Sequence, residues 1–321
     1  MKYLLKRLLM MLPMLVGISL VSYVIMNMAP GDAASMYVNP EELRNQVSID
    51  AVREKLQLDS PVLVRYAAWL GQVLQGNLGY SYISRQPVAS EIAARLVPTI
   101  QLSVAALALE LVVGVSLGIF CAKRQYRASD NILSLLSFVG MSMPSFWFGM
   151  LLILFFTLRV GWLPSMGLVT VGLKGPWHVL LADRARHMAM PVIALSFAGV
   201  GSWLRFQRAS FLDVMGQDYI RTARSKGLKE GAVTWRHAFR NSCIPVVTML
   251  GGSLPGLIGG SFVIENMFGI PGLGRYGTMA VLARDYPAVM AVTLFSSILV
   301  MAGVLLSDLL YVLVDPRIKY S

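Results

Sequence analysis

The chain has 321 residues, of which 56% are hydrophobic and only 14% charged, with a formal net charge of +11. A soluble domain carries roughly a quarter of its residues as charged side chains, so too little charge is present to cover the cores that a soluble chain of this length would bury, and the composition is that of a membrane protein. The positive excess does not indicate nucleic acid, because the basic residues sit in short segments between long apolar runs and form no continuous basic face with interleaved aromatics.

In chain order, Lys2, Lys6 and Arg7 precede an apolar run over 8–28. About 21 residues exceed the core of a signal peptide and suffice to cross a bilayer, so the run reads as a retained first transmembrane helix. The segment 29–97 is too long for a mere connector. Within it Ser60-Pro61 reads as an N-cap followed by an N1 proline, and Val62, Tyr66, Trp69, Leu70 and Val73 share one helical face before Gly76. A second amphipathic run, 88–96, leads into the next span. Both are expected to lie on the outer surface and pack on the bundle.

Five further apolar runs follow, over 98–122, 132–158, 188–204, 244–264 and 288–314, which makes six spans. Pro144, Pro191 and Pro255 fall within or at the start of such runs and predict kinks. Gly114 and Gly118, and more densely Gly251, Gly252, Gly256, Gly259 and Gly260, predict close helix packing or a narrow channel wall. Glu110 and Asp308 are carboxylates inside spans and must face protein or water. Glu110, Pro144, Pro255 and Gly256 are the candidate pathway or gate residues. Asp308 reads as structural.

Orientation follows from the basic residues. With the N-terminus inside, the inner segments hold Lys2, Lys6, Arg7, Lys123, Arg124, Arg127, Arg205, Arg208, Arg221, Arg224, Lys226, Lys229, Arg236, Arg240, Arg317 and Lys319. That is more than half of the 28 basic residues, set against only Asp130, Asp213, Asp218, Glu230 and Asp315, so both termini are placed on the cytoplasmic side. Cys121 and Cys243 then fall at cytoplasmic helix ends, a reducing location, and read as small apolar fillers. His178, His187 and His237 form no ligand set.

The inner segment Arg205 to Asn241 is polar and basic yet regular. Asp213 and Asp218 open a helical pattern that runs to Ser225, Gly227 breaks it, and a second helix is predicted from Glu230 to Arg240. Such a helix–glycine–helix element is shaped to enter the groove of another protein. Small Ala223 would allow close backbone approach, and the arginines could pair with an acidic partner. A plain positive-inside anchor is the alternative that composition leaves open.

Arg221-Thr222-Ala223, then three residues, then Gly227, resembles the coupling loop of ABC importer permeases, with Arg221 where many members have glutamate. Pro30-Gly31-Asp32, Arg85-Gln86-Pro87-Val88, Met143-Pro144-Ser145-Phe146-Trp147 and Asp218-Tyr219-Ile220 are similar to motifs of the dipeptide/oligopeptide/nickel permease family. So are His237-Ala238-Phe239-Arg240-Asn241, Glu265-Asn266-Met267-Phe268, Pro271-Gly272-Leu273-Gly274, Arg284-Asp285-Tyr286-Pro287 and Asp315-Pro316-Arg317. The resemblance covers nearly the whole chain in order.

It implies an all-α membrane protein: a transmembrane helix at 1–28, an extracytoplasmic helical insertion at 29–97, a five-helix permease core at 98–315 containing the coupling loop 205–241 between the fourth and fifth spans, and a cytoplasmic tail at 316–321. It also implies a second homologous permease, two ATPase subunits, an extracytoplasmic substrate-binding protein and surrounding membrane lipid as partners, in the bacterial inner membrane. Asp218, Tyr219, Arg221, Thr222, Ala223, Gly227 and Leu228 are the implied ATPase-coupling residues. The implied cargo is di- or oligopeptide, with nickel or a metallophore as the alternative on the same architecture.

The chain has no GxxxxGK[ST], so ATP and Mg are expected on partner subunits and no catalytic, cofactor or metal site in this one. The rival classes fit less well. An intramembrane hydrolase lacks a GxSxG or HExxH, and an ATP-independent carrier has no use for a docking loop.

Overall fold

Backbone N–H and C=O groups in hydrocarbon must be paired within the chain, which favours helices wherever the sequence is continuously apolar. The computed structural model describes residues 2–28 and 59–314, and over these it is helical, with no strand beyond one isolated bridge between Tyr80 and Pro87. The motifs at 30–32 and 315–317 and the tail at 316–321 lie outside the described residues.

The elements are α1 (Lys2–Met28), α2 (Val62–Leu74), α3 (Val88–Lys123), α4 (Ala128–Ser142), α5 (Ser145–Leu152, continued by a π-helical run Ile153–Arg159) and α6 (Trp177–Met215). Then come α7 (Asp218–Ser225), the composite α8 (Glu230–Ala232, π-helical over Val233–Phe239, then Arg240–Ser242), α9 (Ile244–Met267), α10 (Leu273–Leu282) and α11 (Tyr286–Val314). Four described helices are long and apolar enough to cross a membrane: α1 from Arg7, α3, α6, and α11 over Tyr286–Leu306. The pair α4–α5 makes a fifth if it is counted as one crossing.

Four local expectations are revised. The run 132–158 is not one kinked helix, since α4 and α5 are bent by 107°. Proline forces its predecessor out of the helical region, and Met143 (ψ 126°) and Pro144 (ψ 132°) are both extended. The run 88–96 is no separate surface helix but the first turns of the 36-residue α3, which continues through Pro98. Ser60 does not cap α2: Pro61 occupies the cap position, and its carbonyl accepts the N–H groups of Val64 and Arg65. The fourth span is far longer than 188–204. The helix that holds it runs 39 residues through Pro191 to Met215, so Asp213 lies in the last turn of α6, and Gly216-Gln217 separates it from Asp218.

The chain divides into two compact units, one drawn from Met1–Thr99 and Pro271–Met301, the other from Ile100–Ile270 and Ala302–Ser321. In the first, the predicted face of α2 is its less exposed one, and Tyr66 is its buried member. The Tyr66 hydroxyl pairs with Ser19 Oγ at 2.8 Å and donates to the Val16 carbonyl at 3.1 Å, which ties α2 to α1. Ser81 donates to the buried Asp285, and Thr99 Oγ1 accepts the Leu273 N–H at 2.8 Å. Arg95 lies 4.4 Å over the ring of Tyr276. Burial, with Asp285 and Glu91 nearby, pushes the Tyr276 phenol up to about 12, so it stays neutral and keeps an electron-rich face toward the guanidinium.

The second unit is organised on α6. A Cβ at Gly114 of α3 would stand 2.5 Å from Trp203 Cβ, and one at Gly118 would stand 2.7 Å from the Leu204 carbonyl and 2.8 Å from Gln207 Cβ. On the α4 side, a Cβ at Gly201 would stand 2.7 Å from the Ser137 carbonyl. Backbones therefore meet on both flanks of α6, which only glycine permits. Farther along, Leu102, Ala106, Leu152, Met190, Ala194, Leu195, Ile264 and Phe268 form one buried apolar cluster.

Gly118→Val should overpack the α3–α6 contact by about 2 kcal/mol or more and lower the melting temperature of the purified chain in detergent. Gly256→Ala, where nothing lies within 4 Å, should leave the melting temperature unchanged or slightly raised.

Candidate coupling surface

Toward its C-terminal end α6 changes from apolar to polar, and its side chains there are committed to fixed partners. Arg208 Nε and one Nη each lie 2.7 Å from the two oxygens of Asp130 on α4. Tyr126, in the left-handed region at φ 61°, turns its N–H to the same carboxylate at 2.9 Å. Asp130 is 1% exposed, so this is a buried charge neutralised by a bidentate guanidinium. On either side of Arg208 along α6, Gln207 donates to Ser242 Oγ at 2.9 Å and Ser210 donates to the Ser242 carbonyl at 3.0 Å. Gln207 and Ser242 are both fully buried. The two bonds to Ser242 clamp the far end of the segment 217–242 back onto α6, from whose C-terminus the segment emerges.

Between Met215 and Ser242 the chain folds over an apolar floor. Ile119 and Ala122 of α3, Phe211 of α6, Ile220 and Ala223 of α7, and Val233 and Ala238 of α8 form one buried cluster. Gly227 sits at φ 76°, and its N–H bonds to the Arg224 carbonyl at 2.9 Å while the Leu228 N–H reaches the Ala223 carbonyl at 3.3 Å, a glycine C-cap. This is the break predicted at that residue. Arg224 then grips Glu230 across the turn at 2.7 Å. That contact holds the Glu230 carboxyl below the usual glutamate range and raises Arg224. With the folded-state pKa of Glu230 depressed, the contact is present above the ordinary glutamate pKa and is lost as pH falls through the folded value. Both groups are well exposed, so its weight is small.

The outer face of the same segment carries the remaining coupling candidates. Asp218, Tyr219, Arg221, Thr222 and Leu228 are exposed, with Arg221 3.7 Å from Asp218. Trp235, 61% exposed and edge-on to Phe239 at 5.4 Å, stands on the π-helical run that turns Val233, Thr234 and Ala238 inward. Ala223 is placed differently from the others. It is 6% exposed and packed into its own chain's floor, so its small size serves the packing of α7 on that floor beneath the surface.

The four pathway candidates do not form one constellation. Glu110 is 4% exposed, accepts from Trp203 Nε1 at 3.3 Å and lies where a Cβ at Gly199 would be, which puts it inside the α3–α6 contact. Pro144 lines an open groove of about 570 Å³ with Phe138, Phe146 and Trp147 at the α4–α5 bend. Gly256 faces open space on α9, and the side chain at 255 lies outside those described. Burial holds the Cys243 thiol above its ordinary range, which keeps it protonated and inert.

Sequence reasoning missed the Asp130–Arg208 pair and the Gln207–Ser242 bond, whose partners stand 78 and 35 residues apart. The one trace is Asp130 as the lone acid beside Lys123, Arg124 and Arg127 in the first inner loop. Arg208→Met should strand a buried carboxylate and cost about 3–5 kcal/mol, while Asp130→Asn with Arg208→Gln should recover much of the loss, as read by melting temperature in detergent.

Known families match this arrangement along the chain. The profile described as binding-protein-dependent transport system inner membrane component matches residues 114–320, and the N-terminal profile of the same component matches residues 1–103. The chain is 40% identical to the oligopeptide transport system permease protein AppB of Bacillus subtilis, over 99% of each chain. It is 38% identical to the glutathione transport system permease protein GsiC of Escherichia coli K12, also over 99% of each. A putative peptide permease protein of Brucella ovis is 39% identical over 100% of this chain and 99% of its own. The fold is shared with a crystal structure of an amino acid ABC transporter with histidines, at TM-score 0.53 and 14% identity, covering 72% of this chain and 95% of the other. The full-length identity, the profile matches and the apolar helices together place the chain in the binding-protein-dependent transport permeases, as a multi-pass inner-membrane permease subunit of an ABC importer of the peptide/nickel family.

Proposed function

We propose that the chain is one half of a permease pair that moves di- or oligopeptides inward, driven by two cytoplasmic ATPase subunits that dock on the segment 217–230 and supplied by an extracytoplasmic binding protein. The observation that carries this reading is the two-sided build of that segment. Its under-face is welded to α6 through Phe211, Ile220, Ala223 and Val233, and its outer face presents Asp218, Tyr219, Arg221, Thr222 and Leu228. A surface anchor that only fixed topology would need neither the buried floor nor the clamps at Ser242.

In this reading the chain crosses the membrane six times with both termini cytoplasmic. The bent pair α4–α5 counts as one crossing and α9 as another, and the basic loops face inward. The boundaries 1–28, 29–97, 98–315 and 316–321 stand as the proposed division. ATP and Mg belong to the ATPases, since no phosphate-cradling motif occurs in this sequence. Peptide cargo is favoured by the names of the relatives, which are an oligopeptide and a glutathione permease. Ala223 and Gly227 shape the loop from beneath, and the exposed residues make the contact. Glu110 holds α3 to α6, whereas Pro144, Pro255 and Gly256 are the positions proposed to border the pathway.

Gly227→Pro removes an N–H that bonds Arg224 and forces φ negative where the loop needs φ 76°. Co-purification of co-expressed ATPase subunits should be lost in this variant while membrane insertion persists. Leu228→Glu, a surface change, should weaken it at least severalfold. Retention of the ATPase by both variants would refute the docking role. In vesicles loaded with ATP, wild-type complex should accumulate a labelled tripeptide, and accumulation of nickel without peptide would redirect the cargo assignment.

A further inference from the structure

Where the last turns of α1 run beside the first turns of α11, Ser22, Ile25, Met26, Val281, Arg284, Tyr286, Val289 and Thr293 enclose a groove of about 360 Å³. Both helices are candidate membrane spans, so a groove at their ends stands at the boundary between hydrocarbon and water. Ile25, Met26, Val281 and Val289 give it apolar walls, and on α1 beside it Val21, Ile25 and Met28 are 57–77% exposed.

Arg284 is the one basic residue in this lining. It makes no side-chain hydrogen bond or ion pair among the described residues. The adjacent carboxylate does not compensate it, because Asp285 is turned inward to the Ser81 hydroxyl and the Ala288 N–H. Arg284 also holds φ 55°, in the left-handed turn that ends α10, where its N–H bonds to the Val281 carbonyl at 3.2 Å. Glycine or asparagine would occupy that position at lower conformational cost. A strained backbone that carries an unpaired guanidinium into an apolar groove indicates that the side chain is kept for a ligand.

We infer that this groove binds an anionic phospholipid, with the phosphate on Arg284 and an acyl chain against Ile25, Met26 and Val289. A guanidinium matches a phosphate through parallel N–H bonds, and the apolar walls suit a chain rather than a free ion. With the orientation proposed above, the lipid would belong to the outer leaflet.

The test uses the full-length chain in complex with its partner subunits, delipidated in detergent and titrated with dioleoylphosphatidylglycerol, dioleoylphosphatidylcholine or inorganic phosphate. Bound lipid is counted by native mass spectrometry. Wild type should hold phosphatidylglycerol about tenfold more tightly than phosphatidylcholine, and Arg284→Gln should abolish that preference. Arg284→Gly should lose the lipid while its lipid-free melting temperature stays level or rises, since glycine relieves the turn, so loss of binding cannot be ascribed to misfolding. Arg284→Lys should keep an intermediate affinity. The proposal is overturned if wild type does not distinguish the two lipids or if the Gln and Gly variants hold phosphatidylglycerol as wild type does. It is equally overturned if inorganic phosphate alone stabilises wild type as well as phosphatidylglycerol, which would mark a free-anion site.

Discussion

The close seating of α6 between α3 and α4 is the constraint on which the second unit depends. Glycines 114, 118 and 201 bring backbones together where any side chain would collide. Along the seam, buried polar side chains pair within the chain, with Gln207 Oε1 left without a partner among the described residues. Asp130 takes the full fork of Arg208, Glu110 takes the Trp203 N–H, and Gln207 takes Ser242. Removing one member of such a pair costs far more than the pair contributes, because the survivor stays desolvated. The seam is thus specified twice, by shape and by its side-chain pairs.

That seam determines how the exposed segment behaves. The residues after Met215 do not hang from α6 as a loose connector. They return through Ile220, Ala223, Val233 and Ala238 to an apolar floor laid by α3 and α6. They are fastened again at Ser242 before α9 begins. A push on Tyr219 or Leu228 is consequently delivered to the body of α6 rather than absorbed in the turn. The left-handed Gly227 and the π-helical run Val233–Phe239 set which side chains point down into the floor and which point out.

The elements that were legible in the sequence are those governed by local rules. The Gly227 break and the amphipathic face of α2 follow from period alone and stand where expected, and four of the six predicted apolar runs fall within helices long and apolar enough to cross a membrane. The misjudged places are those where tertiary packing overrides the local signal. A polar stretch after Leu204 ends a hydropathy run, yet the helix continues to Met215 because Phe211 and Arg208 find partners on α3 and α4. Proline acted in opposite ways at two sites. It accompanies a 107° bend at Pro144 and lies within the unbroken helical assignment of α3 at Pro98, a difference that the residue type could not predict. Ala223, a small residue of the kind that permits close approach, is 6% exposed and sits in the chain's own apolar floor, a placement that residue type alone does not give.

The central claim is that α6 and the segment 217–242 move as one body. Spin labels at Ile193→Cys, near the middle of α6, and Thr222→Cys, on the exposed face of α7, span roughly 33 Å of helix at 1.5 Å per residue before the turn. The pair can be introduced into a chain whose two native cysteines are replaced by alanine. Double electron–electron resonance on the assembled transporter, nucleotide-free and then held with ATP, reads their separation directly. An unchanged, narrow distance distribution in the two states is the predicted result. A shift of several ångströms, or a broadening confined to one state, would mean that the segment moves independently of α6 and would contradict the account.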